Sequence, residues 1–506
     1  MNVSLLFHEW LVLGLGFGLL LADLWLPEKA RGKLGCTAAA GLGAILIYSL
    51  VWSGSPRGYA FGTMYVLDAF ALFFKRFFLL SAIIVILISV EFRERLRTGI
   101  TEYYALILFA LSGMLFASSA NDFSLLFVSL ELITITFYVL TSFQRTQLVS
   151  LEAGVKYLII GALSTSFTVF GIALVYGISG TLSFPELSVT SQHLANNRMF
   201  LFGLLLVMVG LGFKIAAFPF QIWAPDVYQG APAPTTAFLA VGSKAAGFVL
   251  LLRVLFSAVP AITRQWTTLL IVVSAVTILY GNLCAIPQRN LKRLLGYSSI
   301  AHAGYMLLGI AALTQSGQSA VLYYLSGYLF TVLSAFTVIC VVMRQLEDEQ
   351  ITSLAGLNRR SPLLAVTMTL AMVSLAGIPP LAGFFGKFLL LKAVIAQGPA
   401  NRGYYVLGFV AVAGVVISLY YYFGVIRAIY WSNEKSDAPV AAPLSISIRA
   451  TLCVCIAGML FLGMFPAWML NASTRAVSAL QTNKAAANSA QVKVEERRAP
   501  ALRDQR

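Results

Sequence analysis

The sequence predicts an all-α polytopic membrane protein of about 14 transmembrane helices, with two inverted five-helix repeats, each carrying a broken helix. Three observations predict it. The 506 residues are 59% hydrophobic and only 11% charged, with a mean hydropathy of +0.84, whereas a soluble chain keeps about a quarter of its residues charged. Apolar runs long enough to cross a hydrocarbon core of about 30 Å recur from end to end. These runs are continuous instead of alternating, so they read as helices and not as barrel strands.

The spans lie near 8–26, 34–52, 66–90, 103–118, 122–143, 154–176, 200–219, 235–257, 266–286, 295–313, 319–343, 363–395, 404–430 and 447–470. The first is not read as a signal peptide, because it begins with acidic Glu9 and no small-residue cleavage site follows. The net charge of +15 reads as topology, not as a nucleic-acid surface. Basic residues gather in alternate loops: Lys29, Arg31 and Lys33; Arg93, Arg95 and Arg97; Arg289, Lys292 and Arg293; Arg344, Arg359 and Arg360. The intervening short loops hold about one each, namely Arg57, Arg198, Arg264 and Arg402. Both termini are therefore expected on the face opposite the basic loops, the outside.

The chain divides into helices one to three (1–102), a first five-helix unit (103–257), a second (258–430), helix fourteen (431–470) and a polar, disordered tail (471–506). The longest polar insert, 177–199, is too short to fold alone. Cys36, Cys284, Cys340, Cys453 and Cys455 lie in or beside spans and read as small packing residues. No dinucleotide, haem, iron–sulfur or phosphate motif occurs, so no cofactor or metal is expected in this chain.

Helix breakers cluster at two places. Span seven runs into "FPFQIWAPD", with Pro219 and Pro225, and span twelve contains "GIPPLAGFFGK", with Pro379 and Pro380. Proline removes a backbone donor and stops a helix. The breaks stand five spans apart, and an odd-numbered unit repeats with inverted topology. Paired interrupted helices in inverted units point to an ion path at the membrane midplane.

Charges within spans sharpen that expectation, since each costs at least ~2.5–3.5 kcal/mol at the bilayer centre. Glu131 lies about ten residues into span five, roughly 14 Å from either end, too deep for a glutamate to reach water. The plain alternative is a protonated structural carboxyl. Lys214 precedes the break in span seven; the alternative is a lysine snorkelling to the surface. Lys244 stands mid-span in "VGSKAAG", where small neighbours admit another helix and water. His302 in span ten is a lone histidine, as often a satisfied core residue as a proton carrier. Lys387 follows the break in span twelve, while Lys392, nearer the end, suits snorkelling better. Lys156 and Arg253 lie nearer helix ends and rank below these. Were Glu131 close to Lys214, its movement would toggle the lysine between holding and releasing a proton. Lys214, Lys244, His302 and Lys387 would then carry charge laterally.

The stretches "LFVSLELITITFYVL", "FKIAAFPFQIWAPDVYQGAPAPTTAFLAVGSKAAGF", "NLKRLLGYSSIAHAGYMLLG" and "AGIPPLAGFFGKF" resemble, in order along the chain, the antiporter-like membrane subunits of respiratory complex I. The resemblance covers nearly all of 1–470. It implies fourteen helices, proton pumping, and roles for Glu131 as the span-five glutamate, Lys214 as its partner, Lys244 as the central lysine, His302 on the lateral path and Lys387 as the terminal lysine. A terminal lysine argues against the branch that has glutamate there, and the chain is too short for the branch with a long lateral helix. The resemblance further implies M-, K-, J- and A-like membrane partners in a bacterial inner membrane, with a periplasmic N-terminus. NADH, flavin (FMN), iron–sulfur clusters and quinone would belong to other subunits. Alternatives are a subunit of a multisubunit cation/proton antiporter or membrane-bound hydrogenase, a stand-alone solute transporter, and a spacer whose lysines no longer pump. Single ionisable groups strung across helices do not form a cluster shaped for one solute.

Overall fold

The structure, a computed structural model, describes residues 2–27, 31–51, 58–96, 99–345, 349–431 and 444–480, with only the backbone of 94, 96, 344 and 345. Lys29, Arg57 and Arg97, the Arg344 side chain and residues 481–506 lie outside the described residues, so the expectations that fall on them are not addressed.

Among the described residues, 13 helices are long and apolar enough to span a membrane. They are α1 (Phe7–Trp25), α2 (Leu34–Val51), α3 (Ala69–Leu96), α4 (Ile100–Ser118), α5 (Phe123–Thr141), α6 (Leu148–Ser179), α7a (Arg198–Ile215), α8 (Ala233–Ala258), α9 (Thr267–Ala285), α10 (Leu291–Ala311), α11 (Gln315–Gln345), α13 (Gly403–Trp431) and α14 (Ile446–Met464). The remaining expected span, the twelfth at 363–395, is divided into α12a (Pro362–Ala376) and α12b (Ala382–Ile395). Span seven is likewise divided, α7a being followed by the short α7b (Trp223–Gly230).

Local chemistry sets the ends. Asp122 caps α5 by accepting from the Ser124 N–H at 2.6 Å, Asn197 caps α7a from Phe200 N–H at 3.0 Å, and Asn290 caps α10 from Arg293 N–H at 2.9 Å. Helix α12a stops at Gly377, whose φ of 86° is left-handed and natural to glycine. Helices α8, α10 and α11 are buried almost throughout, while α1 and α6 turn large apolar residues such as Phe17, Leu158, Ile159 and Phe170 outward. In a bilayer that outer ring faces lipid, so the core is distinguished from the surface by burial and not by hydropathy.

Three features depart from expectation. A hairpin, β1 (Gly58–Ala60) and β2 (Tyr65–Leu67), closes one end of the bundle; its turn passes through Phe61 and Gly62 at positive φ. Asn121, where α4 turns into α5, holds it by donating from its side chain to Thr63 O at 2.8 Å. The tail expected from 471 instead continues a helix over 466–480, because Ala476, Val477 and Leu480 fall on one buried face. Of the five cysteines, Cys340 and Cys455 are buried packing residues, but Cys36 and Cys453 lie on the outer surface.

Candidate functional site

Lys214 occupies the last turn of α7a and is 3% exposed. The helix ends at Ala216 (φ 58°), and Pro219 prevents its continuation. Polar groups freed by the break find partners within the bundle. Trp223 of α7b donates its indole N–H to Phe213 O at 3.0 Å, and the Phe218 N–H is accepted by Thr277 Oγ1 of α9 at 3.0 Å. The break is thus internal, and Lys214 does not snorkel. Helix α8 packs against the lysine stem at Gly247, where an added methyl group would stand 3.3 Å from Lys214 Cβ.

Lys214 Nζ donates to Thr134 Oγ1 at 2.6 Å. Thr134 donates its own proton to Leu130 O at 2.6 Å, so its oxygen is committed as an acceptor for the ammonium. Glu131 stands one turn away on α5 and accepts from Thr165 of α6 at 2.8 Å. It forms no ion pair with Lys214 within 4 Å, yet both line a single cavity of about 20 Å³ walled by Thr134, Ser164, Thr165, Thr168 and Gly210. Such a volume accommodates one water. Carboxylate and ammonium are therefore arranged to communicate through one bridging molecule or one side-chain rotation.

Lys244 opens the regular part of α8, directly after a π turn at Leu239–Ser243. It donates to Ser299 O at 2.6 Å and to Ser299 Oγ on α10. That hydroxyl also meets Tyr228 of α7b (2.8 Å) and accepts from Tyr328 of α11 (3.0 Å). His302, one turn along α10, lies between two phenols, with Nδ1 2.5 Å from Tyr324 OH and Nε2 3.0 Å from Tyr422 OH. Its ring centroid is 5.2 Å from that of Tyr328. Lys387 Nζ donates to Leu375 O (2.8 Å) and Ala376 O (3.1 Å), the carbonyls left open where α12a stops before Pro379 and Pro380. Its ammonium stands 4.8 Å above the Tyr305 ring, whose other neighbour is His302 at 6.1 Å.

The structure thus brings Glu131 to Lys214, Lys244 to His302 through Ser299 and Tyr328, and His302 to Lys387 through Tyr305. Among the described residues Lys214 and Lys244 share no hydrogen-bond partner; the Lys214 stem lies against α8 at Gly247, one turn beyond Lys244. Pro225 falls in the first turn of α7b, where its missing N–H costs nothing. Lys392 is exposed, as snorkelling requires, and Lys156 is half-exposed between Glu152 (2.7 Å) and Asp226 (2.8 Å). Sequence reasoning missed the hydroxyl set Ser299, Tyr228, Tyr328, Tyr324 and Tyr422. A signal for part of it existed: Ser298, Ser299, His302 and Tyr305 recur at helical spacing in "YSSIAHAGY". Arg253, expected nearer a helix end, has left the surface altogether. It is fully buried and bound to Asp68 at 3.0 Å. Among the described residues, no three His, Cys, Asp or Glu gather as metal ligands.

Residues 120–418 match the family described as NADH:quinone oxidoreductase/Mrp antiporter, transmembrane. The chain is similar to the NADH-quinone oxidoreductase subunit N of Trichlorobacter lovleyi, 40% identical over 483 residues, covering 94% of this chain and 97% of that one. It is similar to the subunit N of Desulforamulus reducens at 39% over 466 residues, 92% of this chain and 96% of that one. A chain of the solved respiratory complex I from Thermus thermophilus with bound aureothin superposes with a TM-score of 0.76 at 31% identity, covering 92% of this chain and 99% of that one.

Proposed function

The chain belongs to the subunit N family of the NADH-quinone oxidoreductases, and on that premise we propose that it carries protons across the membrane through Glu131, Lys214, Lys244, His302 and Lys387. The observation that carries this reading is the shared cavity. A half-buried carboxylate and a buried ammonium face one water-sized space beside an internal helix break, without being locked into an ion pair. A carboxylate moving toward Lys214 favours its charged form; moving away, it leaves the lysine in apolar surroundings that favour the neutral amine and release of a proton. The line from Lys244 through Ser299, Tyr328, His302 and Tyr305 to Lys387 then passes charge laterally.

Each proton moved against 100 mV requires about 2.3 kcal/mol, which electron transfer elsewhere in the complex would supply. NADH, FMN, iron–sulfur clusters and quinone belong in this reading to partner subunits, and this chain is a non-redox component beside M-, K-, J- and A-like membrane subunits. The membrane is the bacterial inner one, with the N-terminus periplasmic, and the units 103–257 and 258–430 form the inverted repeat.

A second reading, cation/proton exchange, is suggested by the family description's inclusion of Mrp antiporters. The line itself favours protons. Beyond Glu131 it is built mainly of ammonium groups and phenols around a single imidazole, and the ammonium groups repel a metal cation while every member can relay a proton. The deciding experiment replaces Lys214 with Met and follows NADH-driven proton uptake in inverted membrane vesicles. Uptake should fall roughly tenfold or more. Full uptake in a normally assembled complex would sink the reading.

A further inference from the structure

A second group of buried charges lies outside this line, at the end of the bundle where α1 begins. Glu9 (α1) and Lys75 (α3) are both 0% exposed, and their charged atoms are 2.6 Å apart. Tyr65 of β2, equally buried, accepts from Lys75 at 2.6 Å and offers its proton to Glu9 Oε1 (3.1 Å) or Leu5 O (3.0 Å). Immediately beside them Asp68, which precedes α3, holds Arg253 of α8 through both carboxylate oxygens, at 3.0 and 3.2 Å.

The two pairs differ in a way that matters. Every nitrogen of Arg253 is bonded: besides Asp68 it donates to Ser118 O at 2.9 and 2.6 Å, and its guanidinium stands 5.0 Å from the Phe70 ring centroid. That is how a structural clamp is built. Glu9, in contrast, keeps Oε2 buried with no partner among the described residues, and the adjacent His8, 7% exposed, has neither ring nitrogen bonded. Leaving such groups bare within a bundle is costly, and a staple has no reason to carry that cost. The groups facing Lys75 are Glu9, Asp68 and Arg253; those facing His8 are Lys75, Glu9 and Arg76.

We propose that Glu9, Lys75 and Tyr65 form a second proton-exchange site, distinct from the line Glu131 to Lys387, through which a proton passes to the water at this end of the bundle. In the step, the N–H bond of Lys75 breaks along its hydrogen bond and an O–H bond forms on Glu9 Oε1, so that an ion pair becomes a neutral amine and a neutral acid. The acid then releases its proton outward, regenerating the carboxylate, and Lys75 regains a proton from within. The link to the main line is α8. Lys244 and Arg253 stand at the two ends of its regular segment, roughly 14 Å apart, with π turns on either side at Leu239–Ser243 and Val254–Ala258. A change of charge at Lys244 therefore reaches, through Arg253 and Asp68, the start of the helix that carries Lys75. The proposal rests on the pumping reading above.

The test is the ratio of protons taken up to NADH oxidised in inverted vesicles containing the whole complex, for Glu9→Gln with Lys214→Met alongside. We expect Glu9→Gln to lower the ratio roughly twofold or more. An unchanged ratio in Glu9→Gln with a lowered one in Lys214→Met overturns the second site alone. Unchanged ratios in both overturn the pumping reading itself. Should Glu9→Gln fail to assemble, the charge-balanced Glu9→Gln/Lys75→Met variant takes its place, because a staple tolerates joint neutralisation while an exchange site does not. Full pumping by that variant, or by Lys75→Met alone should the double variant also fail to assemble, overturns the proposal.

Discussion

The two broken helices hold their lysines in opposite ways. At the first break Lys214 precedes the interruption and bonds to a threonine of a neighbouring helix, while the open backbone groups are taken by Trp223 and Thr277. At the second, Lys387 follows the interruption and itself caps the open carbonyls of Leu375 and Ala376. The first lysine is released from structural duty and shares a cavity with a carboxylate; the second is part of the helix end. Lys214 can change its charge without touching a helix end, whereas Lys387 must do so within the cap, where even the neutral amine keeps two N–H donors for its two carbonyls.

The comparison can be broken most severely at its glycines. A methyl group at Gly383 of α12b would overlap the Ser374 carbonyl of α12a, whereas one at Gly212 of α7a would meet only the edge of the Phe220 ring at 3.1 Å. Gly383→Ala should abolish assembly of the complex and Gly212→Ala should leave it near normal, as read by native gel and NADH oxidation in membranes. Equal behaviour of the two would mean that the breaks are equally adaptable.

Next in size is the structural difference between the lysines. Lys387→Met orphans two carbonyls in a water-poor interior and should destabilise the purified complex by about 2–5 kcal/mol, visible as a lower melting temperature. Lys214→Met leaves Thr134 bonded to Leu130 O and should barely move the melting temperature while removing proton uptake. If the two variants melt alike, the division of labour drawn here fails. Smallest is the effect of the connecting hydroxyls. Tyr328→Phe keeps the ring beside His302 but removes one donor to Ser299, and should slow proton uptake about twofold to fivefold with assembly intact. No change would place Tyr328 outside the relay and leave Tyr228 as the phenol on Ser299.

Much of the site was legible because the cost of an intramembrane charge is visible in one dimension. Glu131, Lys214, Lys244 and Lys387 interrupt apolar runs, and the prolines beside two of them announce a break. His302 could be named but not distinguished from a core histidine until its two phenol partners were seen. Lys75 and Glu9 do not stand out as buried charges in the sequence because each lies within two turns of a helix start, where a charged side chain ordinarily reaches water. Here the β1–β2 hairpin seals that end, and nothing in the local pattern of 58–67 reveals what it will cover.

The sequence by itself determined the number of apolar crossings, the position of both breaks and which ionisable groups would have to be sheltered from lipid. These follow from the transfer cost of each residue and from the missing donor of proline, both local quantities. Only the tertiary structure decided which helix face each charge meets. Hydropathy within a membrane is nearly the same on every face of a helix, so it carries no record of rotation about the helix axis. That rotation is set by close contacts such as Gly247 against Lys214, and it gave Lys214 a carboxylate across a cavity, Lys387 a pair of carbonyls, and Lys75 a buried glutamate from the opposite end of the N-terminal segment.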